Sequence, residues 1–283
     1  MHDALAVIGG SGLSQIEGVR VRRARRIATP FGPPSDAIVE GELHGRTVYF
    51  LPRHGVGHRL LPSEINYRAN VWALKKLGAR SLLSVSAVGS LQARLRPGDF
   101  VLVDQYVDRT KGVRASTFFG DGCVGHVALA EPICGALAGD VAEAAKALRL
   151  RLHRGGTYVC MEGPQFSTRA ESRMNHAAGH AVIGMTNVPE AYLAREAGLC
   201  YASISMVTDY DSWSDREEVS ADAAIAVMKQ NVARVTALLS KTIAAFEDRP
   251  ECACRRASQF AVMTDPKRVP RATKAALSVV LGH

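Results

Sequence analysis

The sequence predicts an α/β fold, a single domain built around a mixed, largely parallel central sheet that is flanked by helices. Short apolar runs rich in β-branched residues alternate along the chain with longer segments of helical periodicity. Hydrophobic residues make up 47% and charged residues 22% of the 283 residues, as in ordinary globular proteins, which argues against disorder or a fibrous repeat. No apolar run approaches the roughly 20 residues of a membrane-spanning helix, and no basic leader precedes an apolar stretch, so we expect a cytoplasmic protein.

The expected elements follow one another in regular order. Strands are predicted at residues 5–8, 37–39, 47–51, 81–85, 100–103, 157–160, 182–183 and 199–207. Helices are predicted at residues 65–77, 133–148, 168–178, 189–197 and 220–246. Gly78 is a typical helix stop, and Pro189 suits the first position of a helix. The last helix is amphipathic and carries Asp222 in its first turn.

The chain shows no internal repeat, and no linker divides it before about residue 248. There Asp248-Arg-Pro250 opens a basic tail. We therefore expect one domain over residues 1–248 and a C-terminal basic extension of unknown role over residues 249–283.

The net charge is +8, and part of it is concentrated in one run of arginines at positions 20, 22, 23, 25 and 26. Such a run can bind nucleic acid or another polyanion, and a polyanion-binding protein is one hypothesis for this chain. No aromatic residue interleaves with the arginines to stack on bases, so we favour a solvated strand or loop edge.

The six cysteines are expected to be reduced thiols rather than a disulfide framework. Cys160 and Cys200 lie in apolar, strand-like segments and are interpreted as core residues. The pair Cys252-Ala-Cys254 has no nearby histidine or second cysteine pair in the sequence, so it is a weak indication of zinc. His176 and His180 have helical metal-ligand spacing, but Gly179 interrupts the helix between them. We therefore expect no metal.

Several predicted strand ends carry groups suited to an anion, and ligands of open α/β sheets bind at such ends. Gly9-Gly10-Ser11-Gly12 offers backbone N–H groups and a hydroxyl, although Gln15 departs from the dinucleotide fingerprint and no Walker lysine follows. Arg53 and His54 offer cationic and ring donors, and a structural salt bridge is an equally good interpretation of Arg53. The segment from Ser84 to Ser90 adds hydroxyls and a glycine.

Other strand ends suit a flat heterocycle and proton transfer. Phe166, in Glu162-Gly-Pro-Gln-Phe166-Ser167, could stack on a base or be a core residue. Asp209 and Asp211 follow the longest strand and could exchange protons or cap the next helix. Together these groups indicate a site for phosphate beside a flat, basic heterocycle.

The chain resembles the trimeric purine nucleoside phosphorylase family over about residues 4 to 246. The matching segments are Ile8-Gly-Gly-Ser-Gly12, Thr29-Pro-Phe-Gly32, Arg53-His54-Gly55, Ile65-Asn-Tyr-Arg-Ala-Asn70, Ser86-Ala-Val-Gly-Ser90, Pro97-Gly-Asp99, His126, Glu162-Gly-Pro-Gln-Phe-Ser167, Met185-Thr186, Val188-Pro-Glu190 and Thr208-Asp-Tyr-Asp-Ser-Trp213. The resemblance implies reversible phosphorolysis of the N-glycosidic bond of methylthioadenosine by inorganic phosphate, with no metal or organic cofactor. The expected products are adenine and 5-methylthioribose 1-phosphate.

The resemblance also implies roles for individual residues. Phosphate would be bound by Ser11, Arg53, His54, Ser86 and Thr186 together with the Ala87 backbone. The nucleoside would be bound by Phe166, Met185, Asp209, Tyr210 and Asp211. Asp209 would protonate purine N7, which requires a carboxylic acid with a raised pKa. The family assembles as a trimer, so His126 is expected to reach the active site of a neighbouring subunit.

Two positions bear on the choice of base. Family members specific for 6-oxopurines carry Glu after the stacking Phe and Asn at the Asp209 position, whereas this chain has Ser167 and Asp209. A carboxylate accepts a hydrogen bond from a 6-amino group, so adenine is favoured. A purine nucleoside or methylthioinosine phosphorylase with 6-oxopurine preference is the alternative. The small residues Ala221 and Ala224 indicate a roomy 5′ pocket that could also accept adenosine.

Overall fold

In the computed structural model, an 11-stranded mixed sheet runs through the molecule. The structure describes residues 3–10, 16–214 and 221–282, except for the side chains of residues 221–226 and 228–230. The strands are β1 Ala4–Gly9, β2 Arg20–Arg25, β3 Ile38–Leu43, β4 Arg46–Pro52, β5 Ala79–Ser90, β6 Phe100–Leu102, β7 Gln105–Asp108, β8 Leu152–Arg154, β9 Thr157–Cys160, β10 Val182–Gly184 and β11 Cys200–Asp209. The helices are α1 Tyr67–Lys76, α2 Gly135–Ala147, α3 Arg169–Ala177, α4 Asn187–Glu196, α5 Ala221–Ala245 and α6 Arg271–Leu281. The predicted fold class is thereby confirmed.

Strand β5 is the centre of the sheet. It pairs in parallel with β1 on one side and with β11 on the other. The far end of β5, at Gly89 and Ser90, pairs antiparallel with β10. Strands β4, β1, β5 and β11 are neighbours in this order, and each pair is parallel. Their carboxyl ends therefore meet at one edge of the sheet. The chain that leaves β10 runs back along the end of β5 toward this edge.

Helices cover both faces of the sheet, and β1 shows how its residues divide between them. Leu5 and Val7 join the core cluster that contains α2 and α5, whereas Ala6 and Ile8 join the cluster with α1, α4 and α6. Successive side chains of a strand point to opposite faces, so the continuous apolar run of β1 is buried from both sides. The alternation of strands and helices in the sequence predicts this arrangement.

Residues 249–282 pack against the rest of the chain. Leu277 and Val280 of α6 are both 2% exposed and join the core cluster that contains α1. The indole N–H of Trp72 in α1 donates to the Ala276 carbonyl at 2.8 Å. The boundary at residue 248 stays a prediction, but the segment beyond it contributes apolar side chains to the core.

The arginine run forms the edge strand β2, whose residues are mostly exposed. Arg20 and Arg22 pair with Glu42, while Arg23 and Arg25 pair with Glu40. The interpretation as a solvated strand edge is confirmed. The two carboxylates of β3 offset two of the five arginine charges, which weakens the polyanion hypothesis.

Among the residues that the structure describes, no helix is both long and apolar enough to cross a membrane.

Candidate active site

The end of β5 carries a buried row of hydroxyl groups. Ser84 and Ser86 face Ser203 and Ser205 of the neighbouring strand β11 in register, and all four side chains are buried. The side-chain amide of Asn187 lies 3.4 Å from Ser86 Oγ and 3.5 Å from Ser84 Oγ, and its carbonyl accepts from Ser203 Oγ at 2.5 Å. Ala87, the next residue of β5, is exposed. The strand is therefore open to solvent at Ala87, next to Ser86, and these are the two residues predicted to hold phosphate.

Arg53 lies directly after β4 and is almost fully buried. Its guanidinium forms two bonds to the carboxylate of Glu190, at 2.9 and 3.0 Å. It also donates to the Val85 carbonyl at 2.9 Å and to Ser84 Oγ at 2.7 Å. The salt bridge that the sequence left open for Arg53 is thus present. A guanidinium has five N–H donors, so at most one is left for an anion, and phosphate binding by Arg53 stays a prediction.

His54 has a defined tautomer. Its Nδ1 lies 2.9 Å from the Leu60 carbonyl, which can only accept, so Nδ1 carries the proton. The ring stacks on His58 with centroids 4.1 Å apart. Burial lowers the pKa of His54 to about 4, so the ring is neutral at neutral pH and its Nε2 is an acceptor. The prediction treated the ring as a donor to phosphate, whereas neutral Nε2 would instead accept from a P–OH group.

Met185 and Thr186 lie in the segment that returns from β10 to α4. Thr186 is buried and precedes the first residue of α4, yet its side chain makes no capping hydrogen bond to the helix. Its backbone N–H lies 3.4 Å from the Tyr158 hydroxyl. Gly184 permits this approach, because a Cβ there would stand 2.1 Å from that hydroxyl oxygen. Val188 has extended backbone angles, so regular helix begins only at Pro189, as the sequence predicts, and Thr186 lies in the turn before it.

Asp209 is the last residue of β11 and is partly buried. Its Oδ2 accepts from Thr208 Oγ1 at 2.7 Å, and its Oδ1 accepts from the Asp211 N–H at 2.8 Å. Burial raises the pKa of the Asp209 carboxyl despite these two bonds. Gly89 makes room for it, since a Cβ at that position would lie 3.0 Å from Asp209 Oδ1. A raised pKa suits a group that delivers a proton.

Asp211 and Tyr210 are placed differently from each other. Asp211 is buried, begins a short 3₁₀ helix and accepts a short hydrogen bond from the Ser172 hydroxyl of α3. Tyr210 meets Trp213 edge to face at 6.3 Å, and the Trp213 N–H donates to the Ser90 carbonyl at 2.7 Å. These bonds fix the chain directly after Asp209. A contact of Asp211 or Tyr210 with the nucleoside stays a prediction.

Phe166 lines a cleft of about 430 Å³ together with Ser167, Met161, Glu162 and Ile183. The Phe166 side chain is 51% exposed, so it is not the core residue of the alternative interpretation. Ser167 is held from two sides: its Oγ lies 3.7 Å from Met161 Sδ, and its carbonyl accepts from Ser212 Oγ at 3.2 Å. An exposed ring at the mouth of a cleft is a suitable face for a heterocycle.

The roles of three further predicted site residues stay predictions. Ser11 and the side chain of Ala221 lie outside the described residues. His126 is exposed on a loop whose backbone bonds to the Ala261 carbonyl at 2.9 Å. Its predicted target belongs to a second subunit, so its role stays a prediction.

Sequence reasoning did not single out Arg114, which joins several parts of the site. This buried guanidinium donates to the carbonyls of Met185 and Val188, at 2.7 and 2.9 Å, and pairs with Glu162 at 3.1 Å. It therefore fixes the Met185 backbone against the start of the Phe166 loop. Asn187 and Glu190 were also missed as site residues, although Glu190 stands in one of the matched segments. Their partners are far away in sequence, so no local pattern indicates them.

The arrangement combines an anion pocket with a proton donor. Buried hydroxyls lie on β5 and β11 and contact Asn187, the carboxyl of Asp209 lies at the end of β11, and the ring of Phe166 borders the cleft. Among the described residues, the one group of side chains that could hold a metal ion consists of four cysteines remote from this edge. The strand-end groups suit cleavage of a bond to a leaving group that must be protonated.

Comparison with known proteins gives a consistent result. The model of the phosphorylase superfamily matches residues 4–244. The S-methyl-5′-thioadenosine phosphorylase of Geobacter sulfurreducens is 49% identical over 283 residues, covering 100% of this chain and 99% of that protein. The enzyme of the same name from Hyperthermus butylicus is 48% identical and covers 92% of this chain and 95% of that protein.

Solved structures agree with the sequence comparison. A methylthioadenosine phosphorylase from an antarctic soil metagenomic library has a TM-score of 0.94 and 47% identity, covering 99% of this chain and 100% of that one. The Schistosoma mansoni methylthioadenosine phosphorylase bound to adenine has a TM-score of 0.88 and 39% identity, covering 92% of this chain and 99% of that one. The chain belongs to the phosphorylase superfamily, as the match over most of its length and these relatives show.

Proposed function

We propose that this protein catalyses the reversible phosphorolysis of S-methyl-5′-thioadenosine to adenine and 5-methylthioribose 1-phosphate. The observation that carries the proposal is Asp209, a carboxyl of raised pKa at the end of β11, where it pairs with Gly89 three residues beyond Ser86 of β5. The relatives of that name, at almost half identity over the whole chain, support the same reaction. The protein is therefore a pentosyltransferase of purine salvage.

In the proposed reaction, an oxygen of phosphate forms a bond to C1′ as the bond from C1′ to purine N9 breaks. The electron pair of the broken bond goes to adenine, and Asp209 delivers a proton to N7. The sugar gains positive charge as the bond breaks, and the bound phosphate anion stabilises that charge. Asp209 takes its proton back from solvent before the next turnover.

The phosphate pocket of this proposal has two kinds of group. Hydroxyls of Ser86 and Thr186 donate to phosphate oxygens. Neutral His54 accepts from the P–OH that phosphate carries at neutral pH. Ser11 and one N–H of Arg53 complete the predicted set. Arg53 also holds Glu190, Ser84 and the end of β5 in place.

The preference for adenine rests on two positions. The oxygen of the Asp209 carboxyl that does not carry the proton accepts from a 6-amino group, while a 6-oxo group offers it no donor. Ser167, next to Phe166 in the cleft, has no carboxylate to accept from the N1–H of a 6-oxopurine. The 6-oxopurine alternative therefore lacks both of the residues on which it would depend.

Further properties follow from membership of the family as proposals. We expect a homotrimer in which the exposed His126 reaches the site of a neighbour. We also expect a cytoplasmic enzyme of methionine salvage that uses phosphate as co-substrate and no organic cofactor. Light scattering on the active protein tests the trimer, and a fully active monomer would exclude it.

A panel of nucleosides tests the substrate assignment. Release of free base would be measured for methylthioadenosine, adenosine, methylthioinosine and inosine at fixed phosphate. We expect the highest kcat/KM for methylthioadenosine and much lower values for both 6-oxopurine substrates. A higher kcat/KM for inosine or methylthioinosine would contradict the proposal and favour the alternative.

A further inference from the structure

Four cysteines from three distant parts of the chain meet at one point. Cys134 precedes α2, Cys200 begins β11, and Cys252 and Cys254 belong to the segment after α5. Their sulfur atoms all lie within 4.8 Å of one another. The sequence shows no second cysteine pair near Cys252 and Cys254, but in the folded chain Cys134 and Cys200 form one. The sequence argument against a metal site at this pair is therefore wrong.

The spacing of the sulfurs matches a tetrahedral metal site better than a disulfide. The sulfurs of Cys134 and Cys252 are 3.8 Å apart. Zinc–sulfur bonds of about 2.3 Å place neighbouring sulfurs of a tetrahedral site about 3.8 Å apart, whereas a disulfide needs about 2.05 Å. All sulfur–sulfur distances are within 4.8 Å, so even the most distant two sulfurs need to approach by only about 1 Å to reach tetrahedral spacing.

The surroundings of the cluster suit thiolate ligands. Cys134 lies at the N-terminus of the 13-residue helix α2, where the helix dipole favours a thiolate. The Arg195 guanidinium lies 3.5 Å from Cys254 Sγ, so it can donate to this ligand and offset its charge. Cys134, Cys200 and Cys254 are buried, while the partly exposed Cys252 gives a metal ion a path from solvent.

The segment that carries the cysteine pair is held independently of any metal. Arg249 forms two bonds of 2.6 Å to the Asp140 carboxylate of α2. A turn then follows in which the Cys252 N–H donates to the Arg249 carbonyl at 3.2 Å. The two close ligands are thereby presented to Cys134 and Cys200 before a metal ion arrives, as a specific site requires.

We propose that Cys134, Cys200, Cys252 and Cys254 form a structural zinc site. Four thiolates with tetrahedral spacing and no open position are the ligand set of closed, structural zinc sites. On binding, each thiol gives its proton to the buffer and its sulfur forms a bond to zinc. The ion joins the start of α2, the start of β11 and the C-terminal segment.

The site is remote from the chemistry. Cys200 and Asp209 are the first and last residues of β11. At about 3.3 Å per residue, nine steps along the strand separate them by roughly 30 Å. Zinc is thus expected to act on the stability of the fold and not on the bond that is cleaved.

Metal analysis of the full-length protein tests the proposal. The protein would be purified under nitrogen with a reductant and without added chelator, and its zinc measured by mass spectrometry. We expect about one zinc per chain. The zinc affinity of Cys252→Ser would be measured by competition with a chromogenic chelator. We expect it to be at least about tenfold lower, because mutating even the residues that only hydrogen-bond to metal ligands lowers the affinity by that factor. Cys123→Ser, which alters a buried cysteine outside the cluster, should keep the zinc.

A second measurement does not depend on the folding of a variant. Zinc would be stripped from the wild-type protein and cobalt added, because tetrahedral cobalt thiolates absorb strongly in the visible range. Saturation at one cobalt per chain and recovery of the melting temperature would support the site. A protein that is purified without zinc and gives no cobalt spectrum would overturn the proposal. This holds whether a thiol titration finds all six cysteines reduced or only Cys123 and Cys160. The second pattern would indicate two disulfides in the cluster.

Discussion

At the scale of single residues, the chemistry of the site depends on pKa values that are shifted by burial. Asp209 is held in a partly dry position that raises its pKa, while His54 is held neutral by the same physical cause. Arg53 and Glu190 neutralise each other within the core. A carboxyl whose pKa is raised and a ring whose pKa is lowered form a pair suited to proton delivery beside an anion.

Changing Asp209 to Asn tests its two proposed roles together. The amide keeps the shape, removes the proton donor and presents an NH₂ where a 6-amino group must be accepted. We expect kcat/KM for methylthioadenosine to fall about a hundredfold or more, while methylthioinosine loses little or gains. The wild-type rate should fall as the pH rises through the raised pKa of Asp209, because only the acid form delivers the proton. The pH–rate profile of the variant should lack this decrease. An equal loss for both substrates would indicate a merely structural Asp209.

The neutral ring of His54 predicts a pH dependence of stability. The unfolded chain takes up a proton at the ordinary histidine pKa of about 6.5, whereas folded His54 does so at about 4. Between these values the unfolded state binds more protons, so stability falls as the pH falls. In His54→Asn, whose amide can still donate to the Leu60 carbonyl, urea titrations should show a shallower loss between pH 6.5 and 4. An unchanged pH slope would contradict the assignment.

At the scale of elements, the sequence predicts best what is apolar and continuous. The runs that form β1, β5 and β11 are recognisable because both of their faces are buried. By contrast, β7 and β8 are short and mixed in polarity, so no periodicity indicates them. The ion pair of Arg53 with Glu190 joins residues 137 apart, and the contact of Cys134 with Cys252 joins residues 118 apart. Local patterns identified Arg53 and the cysteines but not their partners, because pairing is set by the fold.

Helix α3 offers a test of local stability near the site. Thr168 and Glu171 form a reciprocal capping box at its start, and the helix carries Ser172, which binds Asp211. We expect Thr168→Ala to lower the free energy of unfolding by about 1 kcal/mol and Thr168→Ser to change it little. Urea denaturation of the two variants measures the difference. Equal stability of both would show that the capping box contributes nothing.

At the scale of the whole molecule, the C-terminal segment is part of the folded unit. It supplies apolar side chains of α6 to the core on one face of the sheet and two cysteines to the cluster at the start of β11. The catalytic edge lies at the other end of that strand. The proposed zinc site and the proposed proton donor Asp209 thus lie at opposite ends of β11.

Substitutions in α6 test the contribution of this segment. Leu277 is almost fully buried against α1, so Leu277→Ala should lower the free energy of unfolding by about 2–5 kcal/mol. Lys274→Ala, at an exposed position of the same helix, should change it by less than about 0.5 kcal/mol. If thermal and urea unfolding gave the same small effect for both variants, the tail would not be integral to the core.

Phosphorolysis itself is tested most directly by the fate of the sugar. The protein would be incubated with methylthioadenosine in buffer with and without inorganic phosphate, and adenine and the sugar product followed by absorbance and ³¹P NMR. We predict that adenine appears only with phosphate and that one equivalent of 5-methylthioribose 1-phosphate accompanies each adenine. Adenine release without phosphate, accompanied by free methylthioribose, would show hydrolysis by water and contradict the account.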